Sequence, residues 1–316
     1  MSTSLSQPHI TLLRESYCTC IDNGLSVLKA SGPEIDTYLQ GQITQDLGRL
    51  TDTQGIYSVV LTPQGKAVSE LYLFNGRQEE RIMLVPHAVA EASVARLRRF
   101  SIGYKLRIGR VDSMQILALQ GPETDHALAN AALPQPGRQR LSLARASDEE
   151  LFVLRMPVAA DDGVWIVAPE ERIAAIARQL GNSMDEETLN DARIVQGSPR
   201  FGIDWNEKVH PMNANLAEMD GVSFDKGCYV GQEVTSRMHW RGGIRKRLYH
   251  IRMEQLPACL PAAIKTTAAI GQVTSAAASD EGCFGIAMLN IEAAESGQPL
   301  QLEDGSTVTL LEACHA

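Results

Sequence analysis

A six-residue pattern recurs along this chain, with glycine, proline, glutamate and aspartate at the same places in both copies. Ser31-Gly32-Pro33-Glu34-Ile35-Asp36, with Leu39 beyond, is matched by Gln120-Gly121-Pro122-Glu123-Thr124-Asp125, with Leu128 beyond, at a constant offset of 89 positions. Their surroundings recur as well. A strand-like apolar run precedes each copy, at 25–28 and at 116–119, and a proline follows the glycine where a first helical turn accepts one. Ile35, Tyr38 and Leu39 then fall at helical spacing. Strand-like runs at 56–61 and 68–74 flank the turn Thr62-Pro63-Gln64-Gly65, and runs at 141–143 and 151–154 flank Ser147-Asp148. The strand 82–85, ending at Pro86, leads into an amphipathic helix carrying Val89, Val94 and Leu97. Trp165-Ile166-Val167-Ala168-Pro169 likewise leads into one carrying Ile173, Ile176 and Leu180. Each half therefore reads strand–helix–hairpin–strand–helix, close to the split βαβ, ferredoxin-like pattern, and the fold class is a duplicated α+β unit. The competing reading is two unrelated α+β segments that share a common Gly-Pro helix start.

Residues 134–137 read as a connector inside this pair, and the helical and strand patterns weaken from 188 to 215. After that the composition changes. Short strand-like runs at 248–253, 268–275, 283–289, 300–302 and 308–311, with Asp304-Gly305 as a hairpin turn, predict a small barrel or sandwich. The expected division is 1–110, 111–240 and 241–316. The 316 residues are ample for such a core, and 44% hydrophobic with 21% charged residues is ordinary for a globular protein. A net charge of −9 argues against general coating of nucleic acid while permitting a local basic patch. No apolar run reaches membrane-span length and the first residues lack a signal-peptide pattern, so a cytoplasmic protein with no membrane partner is expected. The six cysteines, at 18, 20, 228, 259, 283 and 314, show no metal-finger spacing, and free thiols with no resident metal are the expectation.

One stretch concentrates chemistry: Asp225-Lys226-Gly227-Cys228-Tyr229-Val230-Gly231-Gln232-Glu233-Val234-Thr235-Ser236-Arg237. Gly227 and Gly231 permit tight turns or close approach. Lys226 and Arg237 would lower the pKa of Cys228, whereas Asp225 and Glu233 act in the other direction. Read from residues alone, a tight turn with a small packed cysteine competes with a reactive thiol. A second feature is the loop Gln40-Gly41-Gln42-Ile43-Thr44-Gln45-Asp46, whose amides and carboxylate could orient a heterocycle, or form no more than a helix C-cap with solvated neighbours. A third is the basic run Arg237, Arg241, Arg245, Lys246 and Arg247 around Trp240 and Tyr249. It could hold phosphates, RNA or a polyglutamate tail, or be a solvated linker.

Lys-Gly-Cys-Tyr-Val-Gly-Gln-Glu followed by Thr-Ser-Arg resembles the signature of the YgfZ proteins, folate-binding relatives of the glycine-cleavage T-protein that serve iron–sulfur protein maturation. The likeness runs from Gln40-Gly41-Gln42-Ile43-Thr44 to the strand-rich end. It implies a C-terminal β-barrel after the duplicated pair, wrapped around a folate-sized cavity. It further implies a tetrahydrofolate-dependent factor supporting assembly or repair of iron–sulfur clusters in client enzymes, including tRNA-modifying ones. The partners implied are folate, those clients or assembly proteins, and tRNA through Arg241, Arg245, Lys246 and Arg247. Cys228 is then the chemically active group with Lys226 and Arg237 tuning it, and the implied folate pocket draws on Gln42, Thr44, Asp46, Arg193, Asn213, Asn215, Tyr229, Gln232 and Glu233.

Two departures from the T-protein pattern bear on activity. Where T-proteins read Gly-Gly-x-x-Asp-Asp-Leu, with the first aspartate essential to aminomethyl transfer, this chain has Gly65-Lys66-Ala67-Val68-Ser69-Glu70-Leu71. Ser69 offers no charge to a developing cation, which argues against classical turnover. The Arg-Leu-Glu-Ala-Gly pattern, whose glutamate grips the pterin, appears as Arg193-Ile194-Val195-Gln196-Gly197, which predicts a weaker or rearranged folate site. A folate-dependent one-carbon transferase and a non-catalytic RNA-binding module are the alternatives.

Overall fold

The computed structural model describes residues 5–148 and 150–314, so the first four residues, part of the stretch that lacks a signal-peptide pattern, lie outside the described residues. The duplication is present in the backbone. The first copy runs β2 (Leu25–Ser31), α2 (Ile35–Gln40), β3 (Ile56–Leu61), β4 (Ala67–Asn75), β5 (Glu80–Pro86) and α3 (Ala90–Phe100). The second runs β7 (Met114–Gln120), α4 (Thr124–Asn130), β8 (Leu143–Arg145), β9 (Phe152–Arg155), β10 (Gly163–Pro169) and α5 (Glu170–Leu180). Before each copy lies one further short strand, β1 (Cys18–Ile21) and β6 (Arg107–Arg110), and β1 is itself preceded by α1 (Gln7–Glu15).

The two short strands are exchanged. The first sheet has the order β3-β4-β5-β2-β6 and the second β8-β9-β10-β7-β1, so each copy completes the other's sheet. The exchange keeps the offset of the sequence repeat: Arg107 lies opposite Ser31, and Cys18 opposite Gln120. The repeated glycine explains why it can. Gly32 and Gly121 have φ of +133° and +137°, and a methyl group at either would collide with the carbonyl of Lys105 or Ser16, just before the incoming strand. No other residue combines that backbone angle with that approach. The recurring Gly-Pro pair is thus a requirement of strand exchange.

Strand alternation divides the buried residues between two faces. Tyr57, Val59, Tyr72, Phe74 and Leu84 from the first sheet share one core with Ile116, Ala118, Phe152, Leu154, Trp165 and Val167 from the second. The rings of Tyr72 and Trp165 meet edge to face at 5.1 Å, and those of Phe74 and Phe152 lie tilted at 5.3 Å, across the gap between the sheets. The opposite faces bury Leu71, Leu73, Leu39 and Leu97 on one side, and Leu119, Leu128, Ile173 and Ile176 on the other, beneath the helices. The result is helix–sheet–sheet–helix, and each such side chain contributes about 1.5–3 kcal/mol on burial.

The third part is a closed barrel of β11 (Lys246–Met253), β12 (Ala262–Lys265), β13 (Ala269–Ser279), β14 (Gly282–Asn290), β15 (Leu300–Leu302) and β16 (Thr307–Ala313), as the resemblance implied. Two helices occupy stretches where the sequence shows little pattern. α6 (Glu186–Val195) is capped by the Asp185 carboxylate, which accepts from the Thr188 amide at 2.8 Å, and α7 (Gln232–Arg241) follows the cysteine motif. Among the described residues no helix is long and apolar enough to cross a membrane.

Candidate functional site

The cysteine motif and the 40–46 loop lie against each other, although the residues that touch through Lys226 are 183 and 181 positions apart. The Lys226 ammonium donates to the carbonyl oxygens of Ile43 and Gln45, both at 2.9 Å. The amides of Val230 and Ser223 donate to the carbonyls of Gly41 and Thr44, each at 3.1 Å. Thr44, fully buried, donates its hydroxyl hydrogen to the Gly221 carbonyl at 2.6 Å. Burial brings Lys226 down to about 8, with nearby Asp46 acting in the opposite sense. The amide of Gly48 and the side chain of Gln40 donate to Asp46 and hold its carboxyl below the usual range. Gly231 then starts α7 at φ +87°, where a Cβ would press on Leu61 and the Thr62 carbonyl at 2.8–2.9 Å. That contact places the motif against the first hairpin turn. Cys228 stands exposed between these anchors.

Other expected members of the site have different surroundings. Lys226 is bound to backbone carbonyls, 5.2 Å from the centroid of the buried Tyr229 ring, and Arg237 pairs on the surface with Glu233, one turn back on α7, at 2.8 Å. Both cations expected to tune Cys228 are engaged elsewhere. Gln232 and Glu233 form the first turn of α7, and Gln42 accepts from Arg96 at 3.2 Å. Asn213 accepts from the amides of Arg245 and Lys246. Asn215, expected in the pocket, is buried instead as a clamp: it donates to the carbonyls of Leu248 and Cys314 and accepts from the Leu248 amide. Arg193 is likewise enclosed, paired with Asp204 at 2.8 Å and donating to the Ser198 carbonyl, so its guanidinium is satisfied within the protein. Val195 lines a cavity with Leu5, Ile10 and Leu13 near α1, and Gln196 pairs with Asp161.

The most unusual group is one that the sequence reading passed over. Along β4, Leu71 and Leu73 face the helices while Tyr72 and Phe74 face the second sheet, so alternation sends Ser69 outward and Glu70 inward. Glu70 is 2% exposed; it accepts from the Tyr57 hydroxyl at 3.0 Å and from the Phe201 amide at 3.3 Å. Burial pushes its carboxyl up to about 7, although both hydrogen bonds oppose the rise. Tyr57 and Tyr72 lie 5.2 Å apart, and the Arg140 guanidinium is 5.7–5.8 Å from both rings. Phe201 meets Trp205 edge to face at 4.8 Å, while Arg200 pairs with Asp22 at 2.7 Å. The indole nitrogens of Trp165 and Trp205 and the Nε of Arg140 are buried donors without a partner among the described residues. Buried donors of that kind ordinarily have one. Tyr57 and Arg140 also line a cavity of about 210 Å³ with Gln45, Arg49 and Asp220. Gln45 therefore joins the cysteine motif, through its carbonyl, to the cavity that Tyr57 and Arg140 share with it.

No protein-family model matches the chain. Similarity to curated proteins is extensive. "tRNA-modifying protein YgfZ" of Edwardsiella ictaluri is 32% identical over 259 residues, covering 78% of this chain and 73% of that relative. The chain belongs to the YgfZ family. The protein of the same description from Colwellia psychrerythraea is 27% identical over 253 residues, covering 79% and 75%. Among solved structures, the glycine cleavage system aminomethyltransferase T of Bartonella henselae superposes with a TM-score of 0.84, spanning 98% of this chain and 87% of that one at 19% identity. This YgfZ-family chain therefore has the aminomethyltransferase fold, with the duplicated pair and barrel read from its sequence. On β4 the inward acid is Glu70, opposite Val59, whereas Ser69, opposite Val60, lies on the face toward the helices.

Proposed function

We propose that this YgfZ-family chain binds tetrahydrofolate between its two sheets. In that state it serves assembly or repair of iron–sulfur clusters in cytoplasmic client enzymes, those that modify tRNA among them. The observation that carries the folate reading is Glu70, a carboxylate buried among aromatic rings between the sheets. A pterin presents adjacent N–H donors on one edge and a flat π-face, the complement of a carboxylate flanked by Tyr57 and Tyr72. The unpartnered donors of Trp165 and Trp205 suit its carbonyl and ring nitrogens. The cavity at Arg140 and Arg49 is smaller than a drug-sized site and suits the carboxylate-bearing tail. When bound, tetrahydrofolate supplies amine nitrogens able to accept or release a one-carbon unit. Gln42, Thr44 and Asp46 shape the wall next to the mouth, and the exposed thiol of Cys228 is the group that acts toward clients. Arg241, Arg245, Lys246 and Arg247 are the surface for tRNA.

Isothermal calorimetry with tetrahydrofolate tests this reading. Wild type should bind, and Glu70→Leu should bind about tenfold or more weakly, since a lost bidentate charged contact removes about 1.5–3 kcal/mol. Equal affinity in both proteins, or no heat at millimolar ligand, rejects the site.

The inward acid also supports the one-carbon transferase reading, because a buried carboxylate can stabilise a developing cation where Ser69 could not. Turnover of folate with small methylamines, lost in Glu70→Gln, would establish it.

A further inference from the structure

Trp240 keeps 72% of its surface in solvent, although tryptophan is highly buried on average. It is not loosely placed. Phe224 stacks on His239 with centroids 3.8 Å apart and 17° between planes. Trp240 meets His239 at 4.6 Å and Phe224 at 6.3 Å, both edge to face. The indole thus stands on a two-ring support in the last turn of α7, which ends at Gly242 with φ +72°. Cations flank it along the chain. Arg237 lies one turn back on the helix and Arg241 beside it, and Arg245 and Lys246 are exposed just beyond Gly242 and Gly243. Asn213 fixes the amides of the last two at 3.1 and 3.2 Å, which holds that short segment in place. Nearby acids are Glu233, paired with Arg237; Glu218, paired with Arg247; and exposed Asp225. On a chain of net charge −9 this is a local excess of positive charge in the segment that carries the exposed indole.

We propose that this ledge is a stacking platform for an unpaired base of single-stranded RNA, with Arg241, Arg245 and Lys246 on the flanking phosphates. The proposal rests on the tRNA-directed part of the proposed function and names the element that would read the RNA. An exposed ring takes any base on its π-face, and cations beside it neutralise the backbone. A duplex keeps its bases stacked internally and has none to offer the indole. The ledge also lies close to the thiol: Phe224 and Cys228 are four residues apart, at most about 14 Å of extended chain.

The test is fluorescence anisotropy of the full chain with a labelled single-stranded RNA of about 12 nucleotides and with the same sequence as a duplex, across a salt series. The single strand should bind more tightly. Trp240→Ala should weaken that binding about tenfold without changing the salt slope, since one base stack is worth about 1–3 kcal/mol, and Trp240→Phe should recover most of it. The pair Arg241→Ala and Arg245→Ala should instead flatten the logarithmic salt slope by about 1.4, two phosphates at about 0.7 each. RNA binding that Trp240→Ala leaves intact, or a duplex bound as tightly as the single strand, overturns the platform while the RNA-directed reading survives. Absence of saturable RNA binding at about 50 mM salt overturns both. Unchanged circular dichroism and unchanged folate heat in the variants identify a loss as local to the ledge.

Discussion

Replacing Glu70 by glutamine should stabilise this protein at pH 8 and leave it nearly unchanged at pH 5. Burial between the sheets raises the carboxyl from an ordinary 4.5 to about 7. A group whose folded pKa exceeds its unfolded value favours the folded state below the unfolded pKa, and that favour is lost as pH rises through the folded pKa. The window for Glu70 is therefore about 4.5 to about 7. At about 1.4 kcal/mol per pH unit this amounts to about 3 kcal/mol, most of it between pH 5 and pH 8. The variant has no charge to form. Its amide can still accept from the Phe201 amide and donate to the Tyr57 hydroxyl, so the comparison isolates ionisation from packing. His210, which burial lowers to about 4, works in the opposite sense, but it is present in both proteins and cancels in the difference. Denaturant unfolding followed by tryptophan fluorescence, with Trp165 and Trp205 both in this core, gives the stabilities. A gain for Glu70→Gln that is the same at pH 5 and pH 8 would refute the reasoning, because the wild-type carboxyl would then titrate as an exposed one.

Two further outcomes follow from burial and hydrogen bonding. At neutral pH a small alkylating agent should modify Cys228 and Cys259 first and Cys18, Cys20 and Cys314 last. The first two are exposed, whereas burial raises Cys18 to about 11, Cys20 to about 12 and Cys314 well above its ordinary value. Mass mapping of adducts against time checks this order, and early labelling of Cys20 would contradict it. Asn215→Gly should lower the unfolding free energy by about 2–4 kcal/mol, read by denaturant titration. It keeps the backbone at φ 61° but leaves the Leu248 amide and the Cys314 carbonyl without their side-chain partner, while the Leu248 carbonyl keeps only the Cys314 amide at 3.0 Å. A cost under about 0.5 kcal/mol would mean that water replaces the clamp.

Much of the architecture was legible because it is carried by local rules. The Gly-Pro repeat marked two equivalent places, and Gly32 and Gly121 occupy the same conformation against the same part of the exchanged strand. The exchange itself was not legible, since β1 and β6 are short and nothing local states which sheet a four-residue strand joins. α7 escaped because Thr235 alone among its residues is buried, leaving no apolar stripe to detect. α6 carried a readable cap at Asp185, but its buried face includes Asp191 and Arg193, which hide the period. Each of the two motif stretches is legible by itself, while their contact through Lys226 is tertiary. Glu70 had a signal that went unused: in β4 it shares parity with Tyr72 and Phe74, and an acid in register with aromatic residues on an inward face is rare unless it has a task.

A crystal of the full chain soaked with tetrahydrofolate tests the central claim most directly. The account predicts the pterin between the sheets, its N–H edge on Glu70 and its face against Tyr57 or Tyr72, with the glutamate tail toward Arg140 and Arg49. Folate bound away from Glu70, or a protein that stays empty at saturating ligand, would contradict it.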